Sequence, residues 1–178
     1  MAATVLVIVT VFVVYWFTPI RRLERRLKKT LKLIGADTLT NVVIPDGVDG
    51  EIQIDQVLLT ARGLLVLEIK RVDGTVFGGE RLDNWTALTP SSRVAFNNPL
   101  DLLNRRVIAL RARFGDEVPV DGRVVLVGNV TLGADLPPSV TTPTLLAEQF
   151  AQAPARSARA ELSAYYPHWD RLRQEVAA

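Results

Sequence analysis

The 178-residue chain contains no cysteine. A disulfide framework and a Cys-ligated zinc site are therefore excluded, and the absence fits a reducing compartment. There is a single histidine, His168, which sits between Pro167 and Trp169 with no Ser or Cys nucleophile motif beside it. A structural or surface role for it outweighs a catalytic one. No G-x-x-x-x-G-K-[ST] pattern occurs, so a P-loop is absent and Gly78-Gly79 reads as a turn signal. Internal repeats and low-complexity tracts are also missing.

What the chain has in quantity is an unbroken apolar run. Residues 2–20 (AATVLVIVTVFVVYWFTPI) carry no charge. At helical rise the run is roughly 28 Å long, close to the hydrocarbon thickness of a bilayer. Tyr15 and Trp16 stand near its end, where amphipathic rings favour the headgroup level. A cleaved signal peptide would place positive charge before the run and small residues after it. Here the order is reversed, because Arg21 and Arg22 follow. The run is therefore expected to be a transmembrane helix, and the excess of positive charge behind it places the N-terminus outside and the remainder in the cytoplasm. The expected location is the inner (cytoplasmic) membrane, with a single pass.

Charge is unevenly distributed. Of 21 basic residues, seven (Arg21, Arg22, Arg25, Arg26, Lys28, Lys29 and Lys32) cluster behind the run with one acid, Glu24. Residues 33–178 keep 14 basic and 18 acidic residues, net −4. The basic segment suits topology and anionic-lipid contact first, and nucleic-acid contact second. Leu23, Leu27, Leu31 and Ile34 recur at helical spacing, so residues 21–34 are expected to form a basic juxtamembrane amphipathic helix that opens the domain.

Residues 35–178 read as one α/β domain. LTNVVIPDG is a strand closed by a turn, and EIQIDQVLLT and GLLVLEIK are hairpin partners around Ala61-Arg62. GTVFGG and WTALTP are short strands. Pro99 to Phe114 is a helix with an apolar stripe of Leu102, Leu103, Val107, Leu110 and Phe114; Arg105, Arg106, Arg111 and Arg113 give it a basic side, read as a solvated face. Arg123 to Val130 is a buried strand and TLGADLPPSVTTP a loop. A helix follows from Thr144 to Ala151, then a last one from about Ala155 to Arg173, open to a break at Pro167. The order predicts a mixed sheet flanked by helices.

The hairpin carries the candidate chemistry. If Thr60 pairs with Gly63, Asp55 stands opposite Glu68 with Cβ atoms roughly 5 Å apart. Glu68 and Lys70 share a face. Opposed carboxylates repel, and a divalent cation relieves this; Mg²⁺ takes such hard oxygen ligands together with substrate phosphate. Lys70 could stabilise developing negative charge or orient a water. The set suits metal-assisted phosphodiester hydrolysis. On spacing alone, a solvated polar face is the commoner meaning of such residues.

Ile54-Asp55-Gln56, then Gly63, Leu67-Glu68-Ile69-Lys70, Gly74-Thr75-Val76-Phe77-Gly78, Trp85 and Asn98-Pro99 form an ordered series. It resembles the NERD (nuclease-related) domain, placed with the PD-(D/E)XK nuclease superfamily. The likeness spans about Glu24 to Leu110. It implies a restriction-endonuclease-like core, nucleic acid (DNA above all) as partner, and Mg²⁺ or Mn²⁺ as cofactor. Asp55 matches the metal-binding aspartate and Glu68 with Lys70 the (D/E)XK pair. Glu24 matches the family's glutamate on the first helix, an additional metal ligand, although Leu23 stands where the family usually has glycine. Arg21, Arg22, Arg25, Arg26, Lys28 and Lys29 are the candidate nucleic-acid or lipid contacts. The alternative is a catalytically inactive module of the same fold that acts as a membrane-proximal binding or scaffold domain.

Overall fold

The computed structural model describes residues 22–46, 50–150 and 155–177. The expected membrane span and Arg21 lie outside them. Among the described residues no helix is long and apolar enough to cross a membrane.

Helix α1 (residues 22–34) buries Leu27, Leu31 and Ile34 and leaves Arg22, Arg25, Arg26, Lys28, Lys29 and Lys32 exposed. Gly35 stops it, its N–H bonding the Leu31 carbonyl at 2.9 Å. Three antiparallel strands follow: β1 (Asp37–Pro45), β2 (Glu51–Thr60) and β3 (Gly63–Arg71). The β2–β3 turn is the two-residue Ala61-Arg62 loop, with Thr60 paired to Gly63. Gly63 takes φ 106°, a conformation closed to side chains here because a Cβ would overlap the Pro119 carbonyl.

After β4 (Gly74–Phe77), β5 (Asn84–Leu88) and β6 (Arg93–Asn97), helix α2 (Pro99–Phe114) returns the chain to β7 (Val120–Val127). Strand β7 pairs parallel with β3. Then come β8 (Val130–Leu132), β9 (Val140–Thr141), α3 (Pro143–Phe150) and α4 (Ala155–Ala177).

The fold is mixed α/β, but the single sheet expected from the sequence is two. One has the order β1-β2-β3-β7-β9 and the other β6-β5-β4-β8. Strands β6, β8 and β9 were not legible. The last two are three and two residues long and lie among Gly and Pro residues; they exist because β4 and β7 offer them parallel edges. Strand β7 also starts earlier than expected, at Val120, since the Gly122 that weakens the strand pattern lies under α2, where a Cβ would meet Val107 at 2.7 Å.

The larger sheet carries helices on both faces. Leu58, Leu65, Leu67, Val125 and Val127 form one core with Leu27, Leu31 and Leu146 of α1 and α3. Val57, Leu59, Leu64, Val66, Val124 and Leu126 form the other, with α2, α4 and the inner face of the second sheet. Strand alternation thus gives each face its own helix layer.

Helix α4 runs through Pro167 without a break. The carbonyl that the missing N–H would have met belongs to Ser163, which is exposed and open to water. The helix docks through Trp169 and Leu172, both fully buried. The Trp169 indole N–H donates to Asp37 Oδ2 at 3.0 Å, and Arg173 pairs with the same oxygen. Burial raises the Asp37 carboxyl, but the bonds from Trp169, the Thr38 N–H and Arg173 together hold it below its ordinary value.

Asp37→Ala leaves a buried indole N–H without an acceptor and is expected to cost about 1–3 kcal/mol in urea unfolding at neutral pH. Because the Asp37 pKa is depressed, its contribution is present above the ordinary carboxylate range and is lost as pH falls through the lowered value. The gap between native and variant should therefore close on the acid side.

Candidate active site

The site begins where β2 leaves β3. Their ladder ends at the Gln56–Leu67 pair, while β3 continues along β7 through Glu68, Ile69 and Lys70. At the same level the β1–β2 ladder passes from Thr40–Gln56 to Val42–Ile54, skipping Asn41 and Asp55. Asn41 there adopts φ 55°, the left-handed conformation that Asn tolerates better than most residues. The inward parity changes across this step. Leu39, Val57 and Leu59 face the α2 core on one side of it, and Val42, Ile44, Ile52 and Ile54 on the other. Asp55 thus sits at a kink and Glu68 at the mouth of the gap the kink opens.

Arg106 of α2 fills that gap. It is only 5% exposed. Its Nε–H donates to the Gln53 carbonyl at 2.8 Å, one terminal nitrogen donates to Glu68 and to Asp55 Oδ2 (3.3 Å), and the other to Asp55 Oδ1 (3.3 Å). The Glu68 side chain is 13% exposed and that of Asp55 50%. The hairpin ladder stops one pair short of the expected Asp55–Glu68 opposition, and it is the guanidinium that links the two carboxylates.

This overturns the solvated basic side expected for α2, as far as Arg106 is concerned. Arg106 lies three residues after Leu103 and four before Leu110, both buried. That spacing puts it on the inner stripe and was the signal that could have found it. Leu102, expected on that stripe, is only partly buried, and Leu100 takes its place.

Burial is the largest influence on Glu68 and raises its carboxyl above the ordinary value. Arg106 opposes this, Asp55 adds to it and Lys70 opposes it, leaving the value raised. Lys70, on the same face, has its Nζ 5.2 Å from the centre of the Phe96 ring, a cation–π contact. The second sheet thereby walls one side of the site.

Glu24 is not brought to the pair. It binds Arg71 at 2.7 Å, and Arg71 follows the parity of Leu65, Leu67 and Ile69, which face the α1 layer. Glu68 and Lys70 face the α2 layer with Leu64 and Val66. Arg22, Arg25, Arg26, Lys28 and Lys29 likewise belong to α1, on the opposite side of the sheet from Arg106.

Asp55 and Glu68 offer hard oxygen donors of the kind Mg²⁺ and Mn²⁺ take. In the arrangement seen, however, the guanidinium holds those oxygens, and among the described residues no group of three or more His, Cys, Asp or Glu could hold an ion.

The remaining motif residues build the frame. Trp85 is fully buried, donates to the Gly79 carbonyl at 3.1 Å and meets Phe96 edge-on at 6.3 Å. A Cβ at Gly78 would overlap its ring. Asn98 caps α2 by accepting from the Leu100 N–H at 3.0 Å, while its amide donates to the Leu82 carbonyl at 2.9 Å. Pro99 fills the first turn of α2. Together they fix the second sheet against the start of the helix that delivers Arg106.

Arg106→Met is expected to destabilise the chain by about 3 kcal/mol at neutral pH. That lies at the low end for breaking a buried pair because Asp55 is half exposed. The raised Glu68 pKa gives a contribution that is full below the ordinary carboxylate value and lost as pH rises through the raised one. Arg106 limits that loss. Urea titrations should therefore show a wider gap between native and variant at about pH 7 than at about pH 4.

The profile of the NERD family, the nuclease-related domain, matches residues 20–127, more than half of the chain. That stretch runs from the start of α1 to the end of β7 and takes in the kink, Glu68, Lys70, Arg106 and the Trp85–Asn98 frame. No curated protein and no solved structure matches the chain. On the family match, this chain belongs to the nuclease-related (NERD) domain family.

Proposed function

We propose that the chain is a membrane-anchored hydrolase of phosphodiester bonds in nucleic acid, DNA in the first instance. The observation that carries this reading is the convergence of Asp55 and Glu68, with Lys70 on the same face, where β2 and β3 separate. The topology supports it: an antiparallel β1-β2-β3 unit, a crossover through α2 and a parallel β7 suit a restriction-endonuclease-like core. Family membership supports a nuclease-like function.

Asp55 and Glu68 are the proposed ligands of Mg²⁺ or Mn²⁺. The ion, when bound, lowers the pKa of a water and neutralises charge on the phosphate. Lys70 stabilises the charge that develops on the phosphoryl oxygens or orients the water. Its Phe96 contact holds the ammonium at the mouth of the gap. Glu24, paired with Arg71 on the α1 side of the sheet, is not one of the proposed ligands.

A second reading is favoured by Arg106. A guanidinium that neutralises the carboxylate pair would also serve a non-catalytic binding or scaffold module, in which the pair is only structural.

Purified chain should cleave one or more of linear duplex, plasmid, single-stranded DNA and RNA in Mg²⁺ or Mn²⁺ and not in EDTA. Lys70→Ala should lower the rate by roughly 100-fold or more. A folded chain inert on every substrate would leave the scaffold reading in place.

Anchoring by residues 2–20 in the inner membrane, with the N-terminus outside, is part of the same proposal. The exposed row Arg22, Arg25, Arg26, Lys28 and Lys29 then lies beside the bilayer, suited to anionic headgroups or nucleic-acid phosphate. Removing residues 2–20 should move the chain from the membrane to the soluble fraction on centrifugation. Alkaline carbonate should leave the full chain with the membrane.

A further inference from the structure

Arg106 is assigned by neither the hairpin pattern nor the family likeness. Its alkyl stem lies on the buried stripe of α2, and its guanidinium is held from three directions by the Gln53 carbonyl, Asp55 and Glu68. The backbone bond to Gln53 fixes the plane of the fork, so both terminal nitrogens are aimed at carboxylate oxygens. They take three of the four oxygens that the pair could offer a divalent cation. A cation within coordination distance of both carboxylates would stand against the guanidinium, and like charges at that separation repel in a site that is buried on its Arg106 and Glu68 side.

We propose that Arg106 and a divalent cation are alternative occupants of the Asp55–Glu68 pair, so that the cation binds only when the guanidinium withdraws. Arg106 is then a positioning residue. It holds the two carboxylates together, neutralises their repulsion while no ion is bound, and sets the affinity for the ion through the bonds that must break. The inference rests on the reading of Asp55 and Glu68 as metal ligands, and it explains how a family site can show a buried arginine where its ion belongs.

The test uses the full chain in detergent and Mn²⁺ alone as the probe, with binding followed by calorimetry and folding by circular dichroism. Arg106→Gln should bind Mn²⁺ at least about tenfold more tightly than the native chain, a difference of about 1.4 kcal/mol. Its thermal midpoint should fall without Mn²⁺ and recover with it. Both effects should vanish when Asp55→Asn is added. Arg106→Lys, which keeps the charge, should bind Mn²⁺ no more tightly than the native chain. Equal affinity in native and Arg106→Gln chains, or binding that survives Asp55→Asn, overturns the proposal.

Should Arg106→Gln be unfolded, its refolding by Mn²⁺ supports the proposal. If it does not refold, the native chain decides: saturating Mg²⁺ should abolish the hydrogen-bonded NMR resonance of the Arg106 Nε–H, and an unchanged resonance overturns the proposal. Mn²⁺ binding that follows this pattern without cleavage of any nucleic acid would remove the nuclease reading and leave this one standing. Metal-dependent cleavage with no gain of affinity in the variant would do the reverse.

Discussion

The guanidinium of Arg106, buried between two strands that have parted, is the interaction on which the rest of this structure turns. Taking an arginine and a glutamate out of water costs several kcal/mol per ion, and only good geometry offsets it. Here the fork meets two carboxylates and a backbone carbonyl, so its planar donors are used as a set. The arrangement requires β2 and β3 to separate at Asp55 and Glu68, and α2 to cross the sheet at that level. A looser crossing would leave a charge buried without a partner.

The sequence motif and the frame are connected for the same reason. Gly78, Trp85, Asn98 and Pro99 touch no carboxylate of the site. They anchor the second sheet to the first turn of α2, and α2 delivers Arg106. The ring of Phe96 lies beneath Lys70 for a related reason: it packs on Trp85. A residue series that resembles a nuclease family therefore mixes groups able to do chemistry with groups that hold those groups in place.

The two helix layers also separate two kinds of electrostatics. The α1 layer presents a row of exposed cations, drawn together by helical spacing of Leu27, Leu31 and Ile34. The α2 layer holds the acidic pair with its arginine. A sheet stands between them, so the basic row and the carboxylates are not parts of one continuous groove in the described residues. Glu24 is on the α1 side because its helix is, and it finds Arg71 there.

Local patterning determined a good deal by itself. The Thr60–Gly63 turn sets the hairpin register as far as Gln56–Leu67, and period-2 alternation puts Glu68 and Lys70 on one face. Helical spacing marks α1 and α2, and the ordered motif series indicates the family. Tertiary structure decided the rest. Strands β8 and β9 exist only because distant strands offer edges, an energy that no short segment carries. Asn41 bends two strands together, which alternation cannot foresee. The place of Glu24 depended on which face α1 covers. A charge on a helix is usually solvated, and only the packing of α2 over the parted strands supplies the two carboxylates that make the burial of Arg106 favourable.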